Sequence, residues 1–509
     1  MIAAAGRLLA RTGTSLRAGL SARAGLSART GMASPVLYLP VALAVRLLML
    51  GKPAFQSDEQ FYLLVGQRMA EGAVPFVDIW DRKPWGLFAI FRSVYLLPFD
   101  PVLSYQLLGL ACSVLTALAI ERMARWIAPP RAAQAAGLVY LLWQVVFNAA
   151  LGQAPVFYNL PVALAAMVVI EACQRRDDPL LRRRALVPML LLGIAMQIKY
   201  TVLFEGIGFG LMLLARGRAD GWSWPRLAGA GASWLLAALA PTAAVMAGYA
   251  LTGHLDAFVQ TNFLSIFGRA TDHADAYAQL AKETLAMTPF ALAILLAPHR
   301  LSSVRAGSPA ALPALRIWAI FAIAGFLIFG TWYDHYLGPV LVPLSILAAP
   351  ALARTRKGER WYGQLLIGLG LIGAVLVPAF QVREKGDAED FAIASDQVAR
   401  ELHGRCLYVY EGDSALYRTT NACIPTRYAY PSHLNAMNEA GALGVDPAAE
   451  VSRVFASKPG VVVVAESGRP NLPNLATRAL VRRQLAESYQ RYAGVTLGTR
   501  KYGLYRLRR

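Results

Sequence analysis

The chain has 509 residues, 56% of them hydrophobic and only 16% charged, with a formal net charge of +19. Soluble proteins carry about a quarter charged residues, so this composition excludes an ordinary soluble enzyme, and the apolar residues fall in runs long enough to cross a bilayer, which takes roughly 20. The basic excess does not mark a nucleic-acid partner, because the arginines cluster in short linkers between apolar runs, as they do in cytoplasmic loops.

Residues 1–33, with the near repeat "RAGLSARAGLSARTG", are Arg-rich and acid-free. That composition fits a transit peptide, a cytoplasmic basic arm on anionic lipid, or a start codon assigned too early. No cleavable secretory signal is evident. Beyond it, the apolar runs predict about 11 spans, near 34–50, 101–121, 133–150, 156–173, 185–199, 201–215, 228–251, 285–298, 315–331, 336–353 and 361–380. The Arg-rich linkers "ERMARWIAPPR", "CQRRDDPLLRRR", "RGRADGWSWPR", "HRLSSVRAGSPAALPALR" and "RTRKGER" fall at every second connection, which places the N-terminus in the cytoplasm and the C-terminus outside. The segment 185–216 is flanked by "RRR" and "RGR", so it must cross an even number of times, as two short spans or a re-entrant pair. Two outer-face regions are longer than turns, 51–100 and 252–284.

From about residue 381 the composition becomes that of a soluble domain. "DAEDFAIASDQVARELH" and "LATRALVRRQLAESYQR" have helical spacing, "CLYVY" and "GVVVVAE" read as buried strands, and "VTLGTRKYGLYRL" as a closing hairpin. The expected organisation is therefore a basic arm over 1–33, a membrane domain over 34–380 with its active site in the outer loop 51–100, and an extracytoplasmic α/β domain over 381–509. Cys406 and Cys423 lie in the exported domain, where a disulfide is permitted, whereas Cys112 and Cys173 lie in spans.

The outer loop carries the chemistry. "FQSDEQFYLLVGQRMAEGAVPFVDIWDRKPWG", residues 55–86, opens with Asp58 and Glu59, the first acids of the chain. Ser57 and Gln60 match a capping box, and Phe61, Leu64, Val65 and Met69 form an apolar stripe suited to a helix lying in the membrane interface. Asp58 and Glu59 then occupy a first helical turn, where unpaired amides favour carboxylates; first-turn acids are common and alone prove nothing. The next segment places Asp81, Arg82 and Lys83 before a second amphipathic helix that starts at Pro84, flanked by Trp80 and Trp85. Cations there suit a bound phosphate, and indoles serve either as interfacial anchors or to stack on a sugar face.

This loop resembles the first outer loop of the GT-C glycosyltransferases, the superfamily of protein O-mannosyltransferases and aminoarabinose transferases. That loop runs from Asp-Glu through an aromatic-bearing helix and a Gly and Pro turn to Lys-Pro-Pro; here Trp85 replaces the second Pro. "QIKYT" at 197–201 is similar to a Lys-bearing turn of the family, and "YDHYLGPVLVPLSILAAP" at 333–350 to its His/Arg-Tyr-x-x-Pro-x-x-Pro helix. The resemblance implies a polytopic α-helical membrane protein with amphipathic outer-face helices, which moves a sugar from a polyprenyl-phosphate carrier to an acceptor hydroxyl, with inversion and without metal or other cofactor. Asp58 would be the general base and Glu59 its support. Lys83, with Arg82 and Lys199, would neutralise the departing phosphate, and Trp80, Trp85, Asp81, His335 and Tyr336 would line the site. The partners implied are the lipid-linked donor, the bilayer, and a glycan, glycolipid or protein acceptor, with no nucleic acid. A bacterial inner membrane is the expected location.

Other polar residues carry plainer readings. Arg46 would snorkel from the first span or reach the carrier, and Asp334, with His335 and Tyr336, would line the cavity or anchor at the interface. "TDHADAY" offers Asp272, His273 and Asp275 as divalent ligands or as a solvated loop, and Arg269 would meet substrate. Two other functions compete: an O-antigen-ligase or polymerase-like enzyme using diphosphate-linked glycans, whose Arg and His sit in a late outer loop, and a lipid-linked sugar transporter, which would need midplane charges in repeated halves.

Overall fold

The computed structural model describes residues 34–53, 56–296, 311–353, 361–467 and 472–508. The basic arm 1–33, the linker "RTRKGER" and most of "HRLSSVRAGSPAALPALR" lie outside the described residues. The protein is a helix bundle capped by a small mixed sheet. Its longer helices, of eight or more residues, are in chain order α1 (Ser34–Ala44), α2 (Ser57–Ala70), α3 (Trp85–Ser93), α4 (Pro101–Ala124), α5 (Pro130–Val146), α6 (Ala154–Gln174), α7 (Leu186–Met196), α8 (Val202–Ala219) and α9 (Trp224–Leu251). They continue with α10 (His273–Ala286), α11 (Thr288–Leu295), α12 (Ala311–Leu327), α13 (Gly338–Ala348), α14 (Trp361–Lys385), α15 (Ala388–Leu402), α16 (Pro447–Ala456) and α17 (Leu475–Ser488).

Among the described residues, five helical stretches are long and apolar enough to cross a membrane: 101–124, 154–174, 224–251, 334–352 and the stretch beginning at 361. The apolar runs predict more: α5 and α12 are unbroken but only 17 residues long, and other runs are divided. The first run is helical only over Ser34–Ala44 before it turns, the run at 285–298 is split between α10 and α11, and 185–216 is broken at 197–201 into α7 and α8. Packing separates an inner set from a rim. α4 packs on both α5 and α6, α7 on α6 and α9, α8 on α12, and α14 on α5. By contrast α9 is barely covered by protein although its residues are apolar, which is how a helix facing hydrocarbon reads.

Polar side chains hold the inner set together. The Tyr38 hydroxyl donates to Glu121 at 2.7 Å, tying α1 to α4, and the Trp143 indole donates to the Leu366 carbonyl at 3.0 Å, tying α5 to α14. Arg46 does not snorkel. It is fully buried, donating to the Ala150 carbonyl at 2.7 Å and to Gln144 at 2.9 Å, because the turn after α1 folds inward against α5.

The C-terminal layer is a four-stranded sheet in the order β1-β2-β4-β3, where β1 is Leu407–Val409, β2 Val461–Ala465, β3 Tyr489–Leu497 and β4 Arg500–Leu507. β1 pairs parallel to β2, and the hairpin β3–β4 adds antiparallel. The uninterrupted valines of β2 are buried except for Val464, which is partly exposed, as suits a strand covered on both faces. Successive residues separate two cores. Leu407, Val409, Val461 and Val463 join the core continuous with the bundle, and Tyr408, Tyr410 and Val462 join a second one with α16 and α17. Cys406 and Cys423 form a disulfide beside β1. The tip of the hairpin sits on the end of α14, with Thr499 donating its backbone N–H to the Glu384 carbonyl at 3.0 Å and Arg500 bonding the Lys385 carbonyl at 3.3 Å.

Candidate active site

The site is built on α2, and two expectations about that helix change. The helix begins at Ser57 itself, after Gln56, and no side chain caps it, so the capping box does not form. Nor does α2 float on the bilayer with one apolar face down. Glu59, Gln60, Phe61, Tyr62, Leu63, Leu64, Val65 and Gly66 are all buried, because the C-terminal layer covers the side that the bundle leaves open.

The chain then returns to the site through a fixed turn. Phe76 has φ +71°, a conformation costly for a bulky residue unless packing enforces it. Here its ring is enclosed by Phe88, Tyr249 and Phe258, and its amide donates to the Ile79 carbonyl at 2.7 Å. This turn aims residues 80–83. α3 follows, and its start lies directly on the 197–201 turn: a Cβ at Gly86 would fall 2.6 Å from the Gln197 side chain. The close approach carries the Lys83 segment and the Lys199 turn to the same end of the bundle.

Asp58 is the centre of what assembles there. Its Oδ1 accepts the Tyr430 hydroxyl at 2.7 Å, and its Oδ2 the Tyr62 hydroxyl at 3.4 Å. Burial opposes its charge, but Lys83 above all, then His335, the Tyr430 hydroxyl and Lys199, more than offset that and hold the carboxyl below its usual range. Burial likewise opposes the Lys83 ammonium, yet Asp81 and Asp58 raise it. The Lys83 Nζ lies 5.4 Å from the centre of the Tyr62 ring. The Lys199 Nζ lies 3.9 Å from that of Tyr336 and 4.6 Å from that of Phe329. His335 stands against Tyr336, with ring centres 4.6 Å apart, and its Nδ1 is 3.5 Å from Asp334, which is also bonded by Asn148. Asp334 is thus held within this network.

The other candidates sit differently. Glu59 points away from Asp58: its Oε1 accepts the Gly152 N–H at 2.9 Å, holding the 147–153 turn. Burial, only partly countered by that bond, pushes its carboxyl up to about 7. Asp81 accepts the Lys83 backbone N–H at 3.1 Å, and burial raises its carboxyl despite Lys83 and Arg82. Trp85 is half-buried in the first turn of α3. Trp80 is 3% exposed and lies in the second core, its ring 4.7 Å from that of His433, so it has no face open to a sugar. Arg82 is engaged by Glu439 at 2.5 Å, and the same carboxylate accepts Arg269 at 2.9 Å. Burial opposes the Glu439 charge, but Arg82 and Arg269 overcome it and hold the carboxyl at about 2. Asp272 caps α10 by accepting the Asp275 N–H, and among the described residues no group of three or more His, Cys, Asp or Glu is placed to hold a metal ion.

Sequence reasoning missed Tyr430, His433 and Glu439, all from the C-terminal layer. They pair with the loop across more than 350 residues, a distance no local pattern records. Together the site sets Lys83, Lys199, Arg82 and Arg269 against Asp58, Asp81 and Glu439: four basic groups facing three acidic ones. An arrangement with one carboxylate kept ionised among lysines can take a proton from a hydroxyl and receive an anionic leaving group.

No protein-family profile matches the chain, and no curated protein matches it in sequence. Solved structures do. ArnT from Cupriavidus metallidurans bound to undecaprenyl phosphate superposes with a TM-score of 0.58 at 14% identity, over 92% of this chain and 97% of that one. Its apo state gives 0.59 at 15% identity with the same coverage. The archaeal oligosaccharyltransferase AglB from Archaeoglobus fulgidus, in complex with an inhibitory peptide and a dolichol-phosphate, gives 0.51 at 13% identity, over 84% of this chain and 68% of that one. The likeness is one of fold: the chain shares the architecture of these proteins.

Proposed function

We propose that this chain is a membrane glycosyltransferase that moves a sugar from a polyprenyl-phosphate carrier to an acceptor hydroxyl at the outer face of a bacterial inner membrane. The observation that carries the reading is Asp58, held ionised at the start of α2 by Lys83, with His335 and Lys199 beside it. The undecaprenyl phosphate bound by the ArnT neighbour and the dolichol-phosphate in the AglB neighbour support a donor of that chemistry.

In this scheme the acceptor hydroxyl donates its hydrogen bond to Asp58. As its oxygen bonds to the anomeric carbon, the proton passes to the Asp58 carboxylate, and the bond from that carbon to the phosphate oxygen breaks. The electron pair leaves on the phosphate, which departs as an anion toward Lys83 and Lys199. Attack opposite the leaving group inverts the configuration. A single phosphate can be matched by the Lys83 ammonium, with Lys199, whose charge burial and Lys83 oppose, drawn toward its charged form by the anion, so the scheme calls on no metal. Because Asp58 is held below the usual carboxylate range, it gains the proton only as the hydroxyl loses electron density to the new bond. Arg82 and Arg269, paired with Glu439, fix the walls of the site rather than take the phosphate directly.

The test is sugar transfer by the purified protein in lipid, offered a panel of radiolabelled polyprenyl-phosphate sugars and envelope glycan extract as acceptor. Wild type should consume one donor, while Asp58→Asn binds that donor without consuming it and Lys83→Met loses both binding and transfer. Intact donors throughout, or turnover by Asp58→Asn at the wild-type rate, would overturn the assignment.

A further inference from the structure

The two oxygens of Asp58 are not equivalent. Tyr62, one turn along α2, reaches Oδ2 at 3.4 Å, long for a hydroxyl donor, whose usual distance is about 2.7 Å. Oδ1 receives the Tyr430 hydroxyl at 2.7 Å. Tyr430 belongs to the C-terminal layer, and its ring packs in one aromatic cluster with Phe61 and His433, 5.2 Å and 5.3 Å away between centres. A phenylalanine would satisfy that packing; only the hydroxyl reaches the carboxylate.

The segments flanking Tyr430 are pinned to the bundle side. Arg68 bonds the Ala422 carbonyl at 2.7 Å, and the Trp80 amide bonds the Arg427 carbonyl at 2.9 Å. On the other flank Glu439 bridges Arg82 and Arg269, and the Ala270 amide bonds the Asn438 carbonyl at 3.0 Å. Gly268 and Gly441 meet so closely that a Cβ on Gly441 would lie 2.5 Å from the Gly268 carbonyl oxygen. Tyr430 is therefore delivered to Asp58 by a docked layer.

We propose that Tyr430 is a positioning residue for Asp58: by occupying Oδ1 it fixes the rotation of the carboxylate and leaves Oδ2 as the oxygen that takes the acceptor's proton. The reacting centre is then completed by the C-terminal layer, which supplies more than a cover. What Oδ2 does rests on the glycosyl-transfer reading; the Tyr430–Asp58 contact does not. The transferred proton goes from the acceptor hydroxyl to Oδ2, and Tyr430 keeps its own.

The test uses the full-length protein in lipid, comparing wild type, Tyr430→Phe and Tyr62→Phe in two measurements. The first needs no substrate: carbodiimide labelling of Asp58, read by mass spectrometry across pH, reports when that carboxyl becomes protonated. The groups facing it are Lys83 and Asp81 from the loop, Lys199, Tyr333 and His335 from the span ends, His433 from the layer, and Glu59 and Tyr62 from its own helix. All but the altered tyrosine are common to the proteins compared. Tyr430→Phe should be half-labelled at a higher pH than wild type, and Tyr62→Phe should shift less. The second is transfer from the polyprenyl-phosphate sugar that wild type consumes. Tyr430→Phe should lose kcat on the order of tenfold, as loss of a hydrogen bond to a charged group predicts, with the donor KM little changed and the acidic limb of the rate profile moved up in pH. Unchanged labelling and kcat in Tyr430→Phe, or an equal shift in Tyr62→Phe, overturns the inference. If wild type transfers no sugar while the labelling shift appears, the functional reading fails and the Tyr430–Asp58 pairing stands.

Discussion

Replacing Glu59 by glutamine is expected to remove a pH dependence of stability that the wild-type protein carries. The Glu59 carboxyl is fully buried, and burial outweighs its bond from Gly152, raising it from its ordinary 4.5 to about 7. Between those two values the folded protein keeps a proton that the unfolded chain has released. Stability contributed by the protonated carboxyl is therefore fully present below about pH 4.5 and falls as pH rises toward about 7. That interval of about 2.5 pH units, at about 1.4 kcal/mol each, amounts to roughly 3 kcal/mol. Glutamine keeps an oxygen for the Gly152 amide and carries no titrating proton. Thermal or denaturant unfolding in detergent, followed by tryptophan fluorescence from pH 4.5 to 8, would compare the two proteins, with other titrating groups common to both. The wild-type curve should drop below that of Glu59→Gln by roughly 3 kcal/mol as pH rises through the window. Parallel curves would refute the claim that Glu59 is a buried carboxyl seating α2 on the 147–153 turn.

Three further outcomes are expected. Glu439→Gln leaves Arg82 and Arg269 without their shared carboxylate and should cost roughly 3 kcal/mol, read as earlier unfolding of the C-terminal layer and faster proteolysis within 426–442. Because Glu439 is lowered from its ordinary 4.5 to about 2, its contribution is present above about pH 4.5 and is lost progressively as pH falls to about 2, so wild type and variant should converge in strong acid. Gly441→Ala drives a Cβ to 2.5 Å from the Gly268 carbonyl oxygen, and amide exchange at Ala270, whose N–H bonds Asn438, should accelerate. Cys406→Ser opens a loop closed across 17 residues and should lower the stability of the C-terminal layer by about 3 kcal/mol, with dithiothreitol reproducing the effect on wild type only.

What the sequence disclosed is what short-range pattern can encode. Asp58 and Lys83 stand in one loop with recognisable spacing, and the unbroken valines of 461–464 and the helix at 388–402 follow from local periodicity. The stripe of Phe61, Leu64, Val65 and Met69 correctly marks buried residues, but a stripe does not say what covers it. The polar residues Glu59 and Gln60 are buried as well, because the covering element lies more than 300 residues away. The same distance hid Tyr430 and Glu439, which in their own segments read as an ordinary tyrosine before Pro431 and an ordinary surface acid. Trp80 shows the limit most clearly. An indole at a membrane surface suits an anchor or a sugar platform, and here it fills a core belonging to another part of the chain.

The hairpin tip seated on the last turn of α14 makes the joint between bundle and layer a rigid one. A bilayer that thickens or thins changes the tilt of the helices that span it, and α14 is among the least enclosed of them. With the Glu384 and Lys385 carbonyls bonded by Thr499 and Arg500, a change in that tilt would load the joint as well as the helix. The same layer is docked on the bundle on both flanks of Tyr430, so that load would fall on the contacts that hold Tyr430 against Asp58. Bilayer thickness would then be felt first at this joint, where the membrane part of the chain meets the layer that completes the site.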